Sequence, residues 1–475
     1  MSAVILVRVK SRAKNSSASV SPTRAAAFDI LLRIERESSY ASELLHSRAY
    51  DRLSTADHSL ATELVMGVLR WRSLLDWRIA ESSSQPLAKL DLEILTALRL
   101  AVYQFGWLNR IPTRAAVHES VELVKRARKR SAAPFVNAVL RKLAANSASS
   151  LSSTSAAKGT AADLAAGSAH PLWLVERWIQ EYGIDAARRI CEFDQIIPTT
   201  AIRLRSSRAE EQLKAEGFEL LPGALLASAR RILQGYVTSS AAFREGSCVI
   251  QDEASQLVAA LVGTGASILD CCAAPGGKTA AIADLNSGVA IAAVDVHPHR
   301  ARLLRKQLSA TASPPGAPGR NIQVVAADAR HLPFSRKFDR VLADVPCSGT
   351  GTLARNPEIK WRLTPADLID LQGRQGEILR AAMARVAEGG RLVYSTCSLE
   401  REENEDVIAK VMPENPSFRV IECGAELRRL QRQGELLLTD LSALTSGPYL
   451  RTIPGIHSCD GFFAAILEKS QKNAT

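Results

Sequence analysis

Two short stretches of this 475-residue chain place cysteines where they could carry out covalent chemistry. The stretch D-V-P-C-S-G-T-G begins at Asp344 and contains Cys347, and the stretch Y-S-T-C-S contains Cys397. Each follows an apolar run that predicts a buried strand, at residues 338–343 and 391–394. The ends of neighbouring strands in an open parallel α/β sheet meet in one ligand-binding crevice. We therefore expect Asp344, Cys347 and Cys397 to share one site.

The residue types favour attack on a pyrimidine ring over direct methylation of an amino group. Enzymes that methylate exocyclic amines carry an aromatic residue after D/N-P-P, and here Cys347 stands in that place. Carbon 5 of a pyrimidine is a poor nucleophile until a group adds to carbon 6, and a thiolate is able to add there. Free cysteines more often pack as small buried hydrophobes. We accept that alternative for Cys271 and Cys272, and we predict reactive thiols at Cys347 and Cys397.

A third stretch, D-C-C-A-A-P-G-G-K-T, runs from Asp270 to Thr279 between a predicted strand and a predicted helix. Its small residues allow a ligand to approach the backbone, and the helix N-terminus offers free N–H groups. The end of the stretch fits a nucleotide-binding P-loop, but Cys272 stands where that motif requires its first glycine. We therefore predict a different ligand, contacted by Cys272, Ala273, Ala274, Pro275, Gly276, Gly277 and Lys278.

Acidic residues at three successive strand ends indicate the nature of this ligand. Asp295 lies 25 residues beyond Asp270, in the position where a carboxylate commonly binds a ribose diol. Asp328 follows the third strand in A-A-D-A-R, where it could accept from an adenine amino group. A single strand-end aspartate is more often a helix cap, but three together favour an adenosine-containing ligand without a large pyrophosphate, such as S-adenosylmethionine. Lys278 and Arg300 are candidate cations toward this donor or toward a nucleic acid.

Strands and helices alternate in the part of the chain that must position these residues. Further strands are predicted at residues 267–270, 289–295, 321–326 and 461–467. Helices are predicted at residues 254–262 and 298–308, and a Pro/Gly-rich turn at residues 311–320. This alternation predicts an α/β fold with a parallel sheet that is covered on both faces.

The N-terminal part is predicted to be all-helical and is strongly basic. Helical periodicity recurs at residues 24–34, 57–79, 91–105, 113–130 and 134–143. Residues 1–146 contain 23 Lys and Arg against 13 Asp and Glu, a net charge of +10, whereas the remaining residues carry a net charge of +1. The run V-K-R-A-R-K-R at residues 124–130 concentrates like charges, which repel unless a counter-charge is present. This segregation favours contact with RNA or DNA; the alternative is a solvated basic surface on a structural domain.

Composition divides the chain into five segments and restricts its class. We predict a basic mobile tail at residues 1–21, a helical RNA-binding domain at 22–145, a flexible Ala/Ser-rich linker at 146–169, a small α/β RNA-binding subdomain at 170–248 and a catalytic domain at 249–470. No apolar run suits a membrane span, and the N-terminus lacks the features of a signal peptide. The eight cysteines form no C-x-x-C pair, so we expect no metal. We expect a monomer in the reducing cytoplasm.

Four motifs together resemble the RNA cytosine-C5 methyltransferases of the Nop2/Sun family. They are D-C-C-A-A-P-G-G-K-T, D-V-P-C-S-G-T-G, N-P-E-I-K-W from Asn356 and Y-S-T-C-S, and their order and spacing also match. The N-terminal part, with R-A-A-A-F-D-I-L at Arg24 and F-V-N-A-V-L-R-K-L at Phe135, resembles the NusB-like RNA-binding domain. The resemblance extends from residue 23 to about residue 469, apart from residues 146–169. Val345 and Cys271 depart from the usual Ala and aliphatic residue.

The resemblance implies a fold, a cofactor, a substrate and roles for particular residues. The fold is a class I S-adenosylmethionine-dependent methyltransferase sheet of Rossmann-like type with an all-α NusB-like domain before it. The substrate is a cytosine of small-subunit (16S) ribosomal RNA. Cys397 would be the nucleophile on carbon 6, Cys347 would assist product release, and Asp344 would hydrogen-bond the base at N3 while lying beside the donor. Residues 272–278 with Asp295 and Asp328 would bind S-adenosylmethionine.

Three alternatives remain open at this point. The same chemistry could act on transfer RNA, although the NusB-like domain favours ribosomal RNA. The chain could be a non-catalytic RNA-binding assembly factor, although the intact Asp344, Cys347 and Cys397 argue against an inactive site. Methylation of protein or DNA is the third alternative, since a basic module does not exclude it.

Overall fold

The computed structural model describes residues 20–37, 39–146, 159–206, 208–310 and 320–471. Nearly all of the predicted basic tail, most of the first half of the predicted linker and most of the predicted turn at 311–320 lie outside these ranges. The chain divides into two units, which we call the first and second unit, between Gly159 and Thr160. Within the described residues, no helix has the length and apolar content needed to cross a membrane.

The described residues of the first unit form helices joined by turns and loops and include no strand, which confirms the predicted all-α, NusB-like fold. Its helices are α1 (Pro22–Glu37), α2 (Ala41–Leu45), α3 (Thr55–Arg70), α4 (Arg72–Ser82), α5 (Leu92–Trp107), α6 (Thr113–Arg126) and α7 (Ala133–Asn146). The apolar stripe of α1 is buried, with Phe28, Ile30 and Leu31 at most 3% exposed. Such a stripe recurs at helical spacing because one face of each helix packs on the core.

The helical stretch predicted at residues 57–79 forms two helices, α3 and α4, because the chain leaves helical geometry at Trp71. Trp71 packs against Trp107 with ring centroids 5.1 Å apart, and α4 starts at the next residue. Glycine is required nearby: a Cβ at Gly67 of α3 would lie 1.9 Å from the ring of Tyr103 on α5. Periodicity alone does not reveal such a break, since both halves carry the same apolar spacing.

The second unit contains two sheets with helices packed around them. Its helices are α8 (Ala161–Gly167), α9 (Leu172–Tyr182), α10 (Ile184–Gln195), α11 (Arg208–Ala215), α12 (Ala241–Arg244), α13 (Glu253–Val262), α14 (Gly277–Leu285), α15 (Pro298–Ala310), α16 (Ile359–Arg362), α17 (Pro365–Met383), α18 (Glu405–Val411) and α19 (Cys423–Arg432). Its strands are β1 (Thr200–Leu204), β2 (Glu219–Pro222), β3 (Ala229–Gln234), β4 (Cys248–Ile250), β5 (Ser267–Asp270), β6 (Ala290–Asp295), β7 (Asn321–Ala326), β8 (Phe338–Asp344), β9 (Val386–Thr396), β10 (Phe418–Ile421), β11 (Thr445–Ser446), β12 (Tyr449–Thr452) and β13 (Phe462–Lys469).

The larger sheet has a parallel centre, which confirms the predicted α/β class and Rossmann-like fold. Strands β9, β8, β5, β6 and β7 lie side by side in that order and pair in parallel. Successive residues of β5 enter opposite cores: Ile268 packs on one face of the sheet and Leu269 on the other. Both faces are covered because parallel strands are joined by helical crossovers. The antiparallel edge formed by β10 to β13 was not predicted as such.

Two predicted segment limits need correction. The predicted linker at 146–169 includes a helix, α8, which starts because Thr160 and Asp163 form a reciprocal capping box. Ala-rich sequence reads as a linker by composition, but alanine is also the strongest helix former once a cap is present. The boundary at residue 248 cuts through β4, which pairs with β1 in the four-stranded sheet β2-β3-β1-β4.

Candidate active site

Neighbouring parallel strands bring the two predicted cysteines into contact. Strands β8 and β9 pair with Asp344 opposite Ser395, so the loops that follow them start side by side. The sulfur atoms of Cys347 and Cys397 lie 3.4 Å apart, and the backbone N–H of Cys397 donates to the Cys347 sulfur at 3.3 Å. We call these two residues the thiol pair. The hydrogen bond with Cys397, together with burial, raises the pKa of Cys347 well above its usual value.

Asp344 lies at the same strand end and accepts two hydrogen bonds. Its Oδ1 accepts from the hydroxyl of Ser395 and its Oδ2 from the ammonium of Lys278, each at 2.7 Å. The Lys278 ammonium also lies 4.7 Å from the centroid of the Phe462 ring. Burial on its own would lower the pKa of Lys278, but the adjacent Asp344 outweighs this effect and raises it. Lys278 is therefore a charged group held between the carboxylate and an aromatic face.

The predicted ligand-binding stretch forms the loop after β5 and the first two residues of α14, and we call residues 272–278 the donor loop. The peptide bond between Ala274 and Pro275 is cis. Gly276 has a φ of +112°, and a Cβ there would lie 2.6 Å from a methyl carbon of Leu304. Both the backbone conformation and the close packing therefore require glycine at this position.

Asp270 precedes the donor loop and is buried with one oxygen available. Its Oδ2 accepts from Thr279 at 2.7 Å, whereas its Oδ1 is buried and has no hydrogen-bond partner among the described residues. Burial raises the pKa of Asp270 to about 7. Buried polar atoms nearly always have a partner, so this oxygen is a candidate acceptor for a donor group of a ligand.

One cavity of about 300 Å³ connects the donor loop with the thiol pair. The predicted residues that line it are Cys272, Ala273, Ala274, Pro275, Gly276, Gly277, Lys278, Asp344 and Cys397. Cys347 does not line it and reaches it only through its contact with Cys397. The structure therefore brings together the predicted nucleophile, the predicted base-binding aspartate and the predicted donor loop.

The remaining predicted donor contacts lie outside this cavity. Asp295, at the end of β6, is 8% exposed and its Oδ1 accepts from the backbone N–H of His297 at 2.8 Å. Asp328 caps a short helical turn and accepts from the Arg330 guanidinium at 2.7 Å, which lowers its pKa. Asp328 thus has the helix-cap role that competed with adenine binding. Arg300 lies in the first turns of α15 and also does not line the cavity. The ligand roles of these three residues stay predictions.

Sequence reasoning missed a charged cluster on the wall of the cavity. Arg355 donates to Asp460 at 2.9 Å and to Asp252 at 3.3 Å, and the Asp460 backbone N–H donates to Asp252 at 3.2 Å. Burial and the nearby Asp252 raise the pKa of Asp460 to about 7. The three residues are separated by about a hundred positions each along the chain, so spacing did not group them. A possible signal was D-G immediately before the last strand, beside Phe462.

The basic run of the first unit is partly neutralised by that unit itself. Lys125 pairs with Glu122, Arg126 with Asp29 and Lys129 with Asp91, at 2.7–2.8 Å. The sequence argument that these charges need an external counter-charge is therefore wrong for three of the five, as folding supplies carboxylates. The other two, at positions 128 and 130, are exposed and make no ion pair among the described residues.

Comparison with known proteins places this architecture among methyltransferases. Residues 261–468 match the family model described as 16S rRNA methyltransferase RsmB/F, and residues 21–145 match the NusB family. The chain is 34% identical to the probable ribosomal RNA small subunit methyltransferase B of Bacillus subtilis, over 93% of this chain and 98% of that protein. It is 32% identical to the probable protein of the same name from Synechocystis, over 94% and 99%. A crystal structure of PH0851 matches with a TM-score of 0.74 and 25% identity, over 95% of this chain and all of the other.

Proposed function

Since the chain belongs to the family of 16S rRNA methyltransferases RsmB/F, we propose that it methylates carbon 5 of a cytosine in small-subunit ribosomal RNA. The observation that carries this proposal is the thiol pair, with sulfurs 3.4 Å apart, beside the Asp344–Lys278 ion pair. Methylation at a base nitrogen or a ribose oxygen needs no thiol, because those atoms carry lone pairs. Methylation at carbon 5 needs a nucleophile on carbon 6 first, and an activated thiolate supplies it.

S-adenosylmethionine is the methyl donor of this family, and the residues of the donor loop fit it. It supplies an electrophilic methyl group on a sulfonium sulfur. The small side chains of the donor loop allow a ligand to lie against the backbone, and the buried Oδ1 of Asp270 is available to a ligand ammonium or hydroxyl. In this proposal Asp295 binds the ribose diol, Asp328 the adenine amino group, and Arg300 acts as a more remote cation.

The thiolate of Cys397 adds to carbon 6 of the cytosine, forming a carbon–sulfur bond and making carbon 5 nucleophilic. Asp344 hydrogen-bonds the base at N3, and Lys278, bound to it at 2.7 Å, is the adjacent proton source for that contact. After carbon 5 has taken the methyl group, its proton is lost with the assistance of Cys347. The raised pKa keeps Cys347 protonated in the resting site, so Cys347 must give up its own thiol proton before it takes the carbon-5 proton. The carbon–sulfur bond then breaks, which frees 5-methylcytidine and the Cys397 thiolate.

The first unit is proposed to bind the ribosomal RNA through phosphate contacts. The exposed Arg128 and Arg130 are the leading candidates of the basic run, since the other three cations already pair with carboxylates. Moving a cytosine out of its stack costs a few kcal/mol, and phosphate contacts offset part of this cost. Mutation of either arginine should weaken binding evenly across RNA sequences and reduce its salt dependence.

The test is methyl transfer from labelled S-adenosylmethionine to unmethylated 16S rRNA, with transfer RNA in parallel. Wild type should produce 5-methylcytidine in 16S rRNA, and Cys397→Ala should produce none. Cys347→Ala should accumulate a covalent enzyme–RNA adduct, visible as a shifted gel band, because addition proceeds while release is blocked. Cys248→Ala is the matched control, since Cys248 is fully buried in the small sheet, and it should behave as wild type.

The outcomes separate the parts of the proposal. Equal labelling by wild type and Cys397→Ala would reject Cys397 as the nucleophile. Labelling of transfer RNA alone would reject the ribosomal substrate and retain the chemistry. A methylated nucleoside other than 5-methylcytidine would reject the carbon-5 reaction altogether.

A further inference from the structure

A fully buried carboxylate lies directly behind the thiol pair. Glu403, in the turn that follows β9, is 0% exposed. Its Oε1 accepts from the backbone N–H of Ser348 at 2.8 Å and from the amide of Gln375 at 2.9 Å. Its Oε2 accepts from the hydroxyls of Ser348 and Ser398. One side chain therefore receives four hydrogen bonds from three segments of the chain.

The residues that Glu403 holds are the immediate neighbours of the two thiols. Ser348 follows Cys347 and Ser398 follows Cys397, and their hydroxyl oxygens lie 3.0 Å apart at the carboxylate. Gln375 also donates to the carbonyl of Pro346, the residue before Cys347, at 2.9 Å. The residues on both sides of Cys347 and the residue after Cys397 are thus tied to Glu403, either directly or through Gln375.

The four contacts suit an ionised carboxylate and do not suit an amide. An ionised carboxylate only accepts hydrogen bonds, and both its oxygens can accept more than one. Of the four donors, the Ser348 backbone N–H cannot reverse its role, and a flipped Gln375 amide would lose its hydrogen bond to the Pro346 carbonyl. A glutamine at 403 would have to turn its NH₂ group toward the two hydroxyls, which would then have to donate elsewhere. Glu403→Gln therefore keeps the volume of the side chain and loses half of its acceptors.

We propose that Glu403 is a positioning residue, which sets the separation and direction of the Cys347 and Cys397 sulfurs through Ser348 and Ser398. The consequence for methyl transfer rests on the proposed function, whereas the positioning itself does not. A displacement of about 1 Å at reacting groups can cost a factor of about 100 in rate. Because Glu403 does not line the cavity, its loss should lower kcat and leave KM for S-adenosylmethionine unchanged within about twofold.

The first experiment measures the thiol pair without RNA, using phenylarsine oxide. One arsenic(III) centre bonds to both sulfurs only when the two sulfurs are close together. The two thiol protons leave with the oxide oxygen as one water. Wild type should take up one equivalent, and Cys347→Ser should take up none at this site. Glu403→Gln should bind about tenfold more weakly or worse. The matched control is Glu402→Gln, because Glu402 is adjacent in sequence, 31% exposed and bound only to Arg177 at its carboxylate among the described residues.

The second experiment measures single-turnover methyl transfer in a double-mutant cycle. Ser348→Ala/Ser398→Ala should reproduce the loss of rate seen in Glu403→Gln, and adding Glu403→Gln to it should cause little further loss, since both act through the same contacts. Additive losses would overturn the proposal, as would a Glu403→Gln enzyme that matches Glu402→Gln in arsenical affinity and kcat. Thermal unfolding of each variant is measured alongside the rate, to show that the variant is folded. If Glu403→Gln does not fold, the serine double variant carries both measurements, and wild-type arsenical affinity and kcat in that variant overturn the proposal.

The two proposals fail in distinguishable ways. If wild type binds the arsenical and Glu403→Gln does not, but no 5-methylcytidine forms, positioning stands and the proposed reaction is rejected. If wild type forms 5-methylcytidine and Glu403→Gln is indistinguishable from Glu402→Gln in both assays, the reaction stands and the positioning role is rejected.

Discussion

Replacing Asp284 by asparagine should destabilise the second unit strongly, because three arginines share this one carboxylate. Asp284 lies near the end of α14, the helix that the donor loop enters. It accepts from Arg203 at 2.8 Å, from Arg205 at 2.9 and 3.0 Å, and from Arg320 at 2.6 Å. All four side chains are at most 12% exposed. Arg203 belongs to β1 and Arg205 follows it, so the cluster joins the four-stranded sheet to the catalytic sheet.

The magnitude follows from the pKa of Asp284 and from its burial. Burial alone would raise this pKa, but the arginines outweigh it and lower it from 3.8 to about 2. A shift of this size corresponds to about 2–3 kcal/mol of stabilisation of the ionised form. Removing one partner of a buried ion pair typically costs ~3–5 kcal/mol. We therefore expect Asp284→Asn to lose about 2–4 kcal/mol at neutral pH, a fall of about 5–10 °C in Tm.

Thermal and urea unfolding measure this loss, with Asp370→Asn as the control. Asp370 pairs with Arg374 on α17 at 2.5 Å, but both side chains are more than 60% exposed, so that change should cost under about 0.5 kcal/mol. The stabilisation by Asp284 is present above pH 3.8 and lost as pH falls toward 2, since its folded pKa is depressed. The wild-type and Asp284→Asn stabilities should therefore converge in that window. Equal free energies of unfolding for Asp284→Asn and Asp370→Asn at pH 7 would refute the reasoning.

Two further predictions concern the site itself. In Gly351→Ala the new Cβ would lie 2.2 Å from the carbonyl oxygen of Gly461, so the loop after Cys347 must move. Methyl transfer and Tm should therefore both fall. The control is Gly373→Ala on α17, where the new Cβ meets nothing within 4 Å and Tm should rise slightly. A normal Tm and rate for Gly351→Ala would contradict this packing. The pKa of Asp270 is about 7 in the folded protein, against 3.8 for the ordinary carboxyl of the unfolded chain. The free energy of unfolding should therefore fall as pH rises between those two values, because the folded protein must then ionise a buried group. Asp270→Asn should flatten that slope in urea unfolding at pH 5 and pH 8, and an unchanged slope would count against the burial of an ionisable Asp270.

Local pattern was sufficient to predict the elements on which the site depends. Strands β5, β6, β7 and β8 were predicted to within one residue at each end, because each is a short apolar run bounded by turn residues. Motif spacing then brought Asp344 and Cys397 to one edge of the sheet. That inference used only the parallel arrangement of neighbouring strands in an α/β sheet, and β8 and β9 do pair in parallel.

What could not be predicted depends on contacts between distant segments. The cluster of Asp252, Arg355 and Asp460 forms only when a helix start, a loop and the turn before β13 meet at the cavity. The antiparallel entry of β13 beside β9 has no local signature, since an apolar run does not reveal its direction. The carboxylates that neutralise the basic run of the first unit are likewise far from it in sequence.

The acidic stretch L-E-R-E-E-N-E-D, from Leu399, shows why sequence charge is a poor guide to the support of a site. By composition it is typical of a solvated surface, yet Glu400, Glu403 and Asn404 are at most 2% exposed. A buried carboxylate is tolerated only where donors surround it, and Glu403 has four. Three of these donors come from the loops that carry the thiols, and the fourth comes from Gln375 on α17. Glu403→Gln would be a conservative change on an exposed surface. Here it should displace the two thiols more than most other substitutions that keep the side-chain volume near this site.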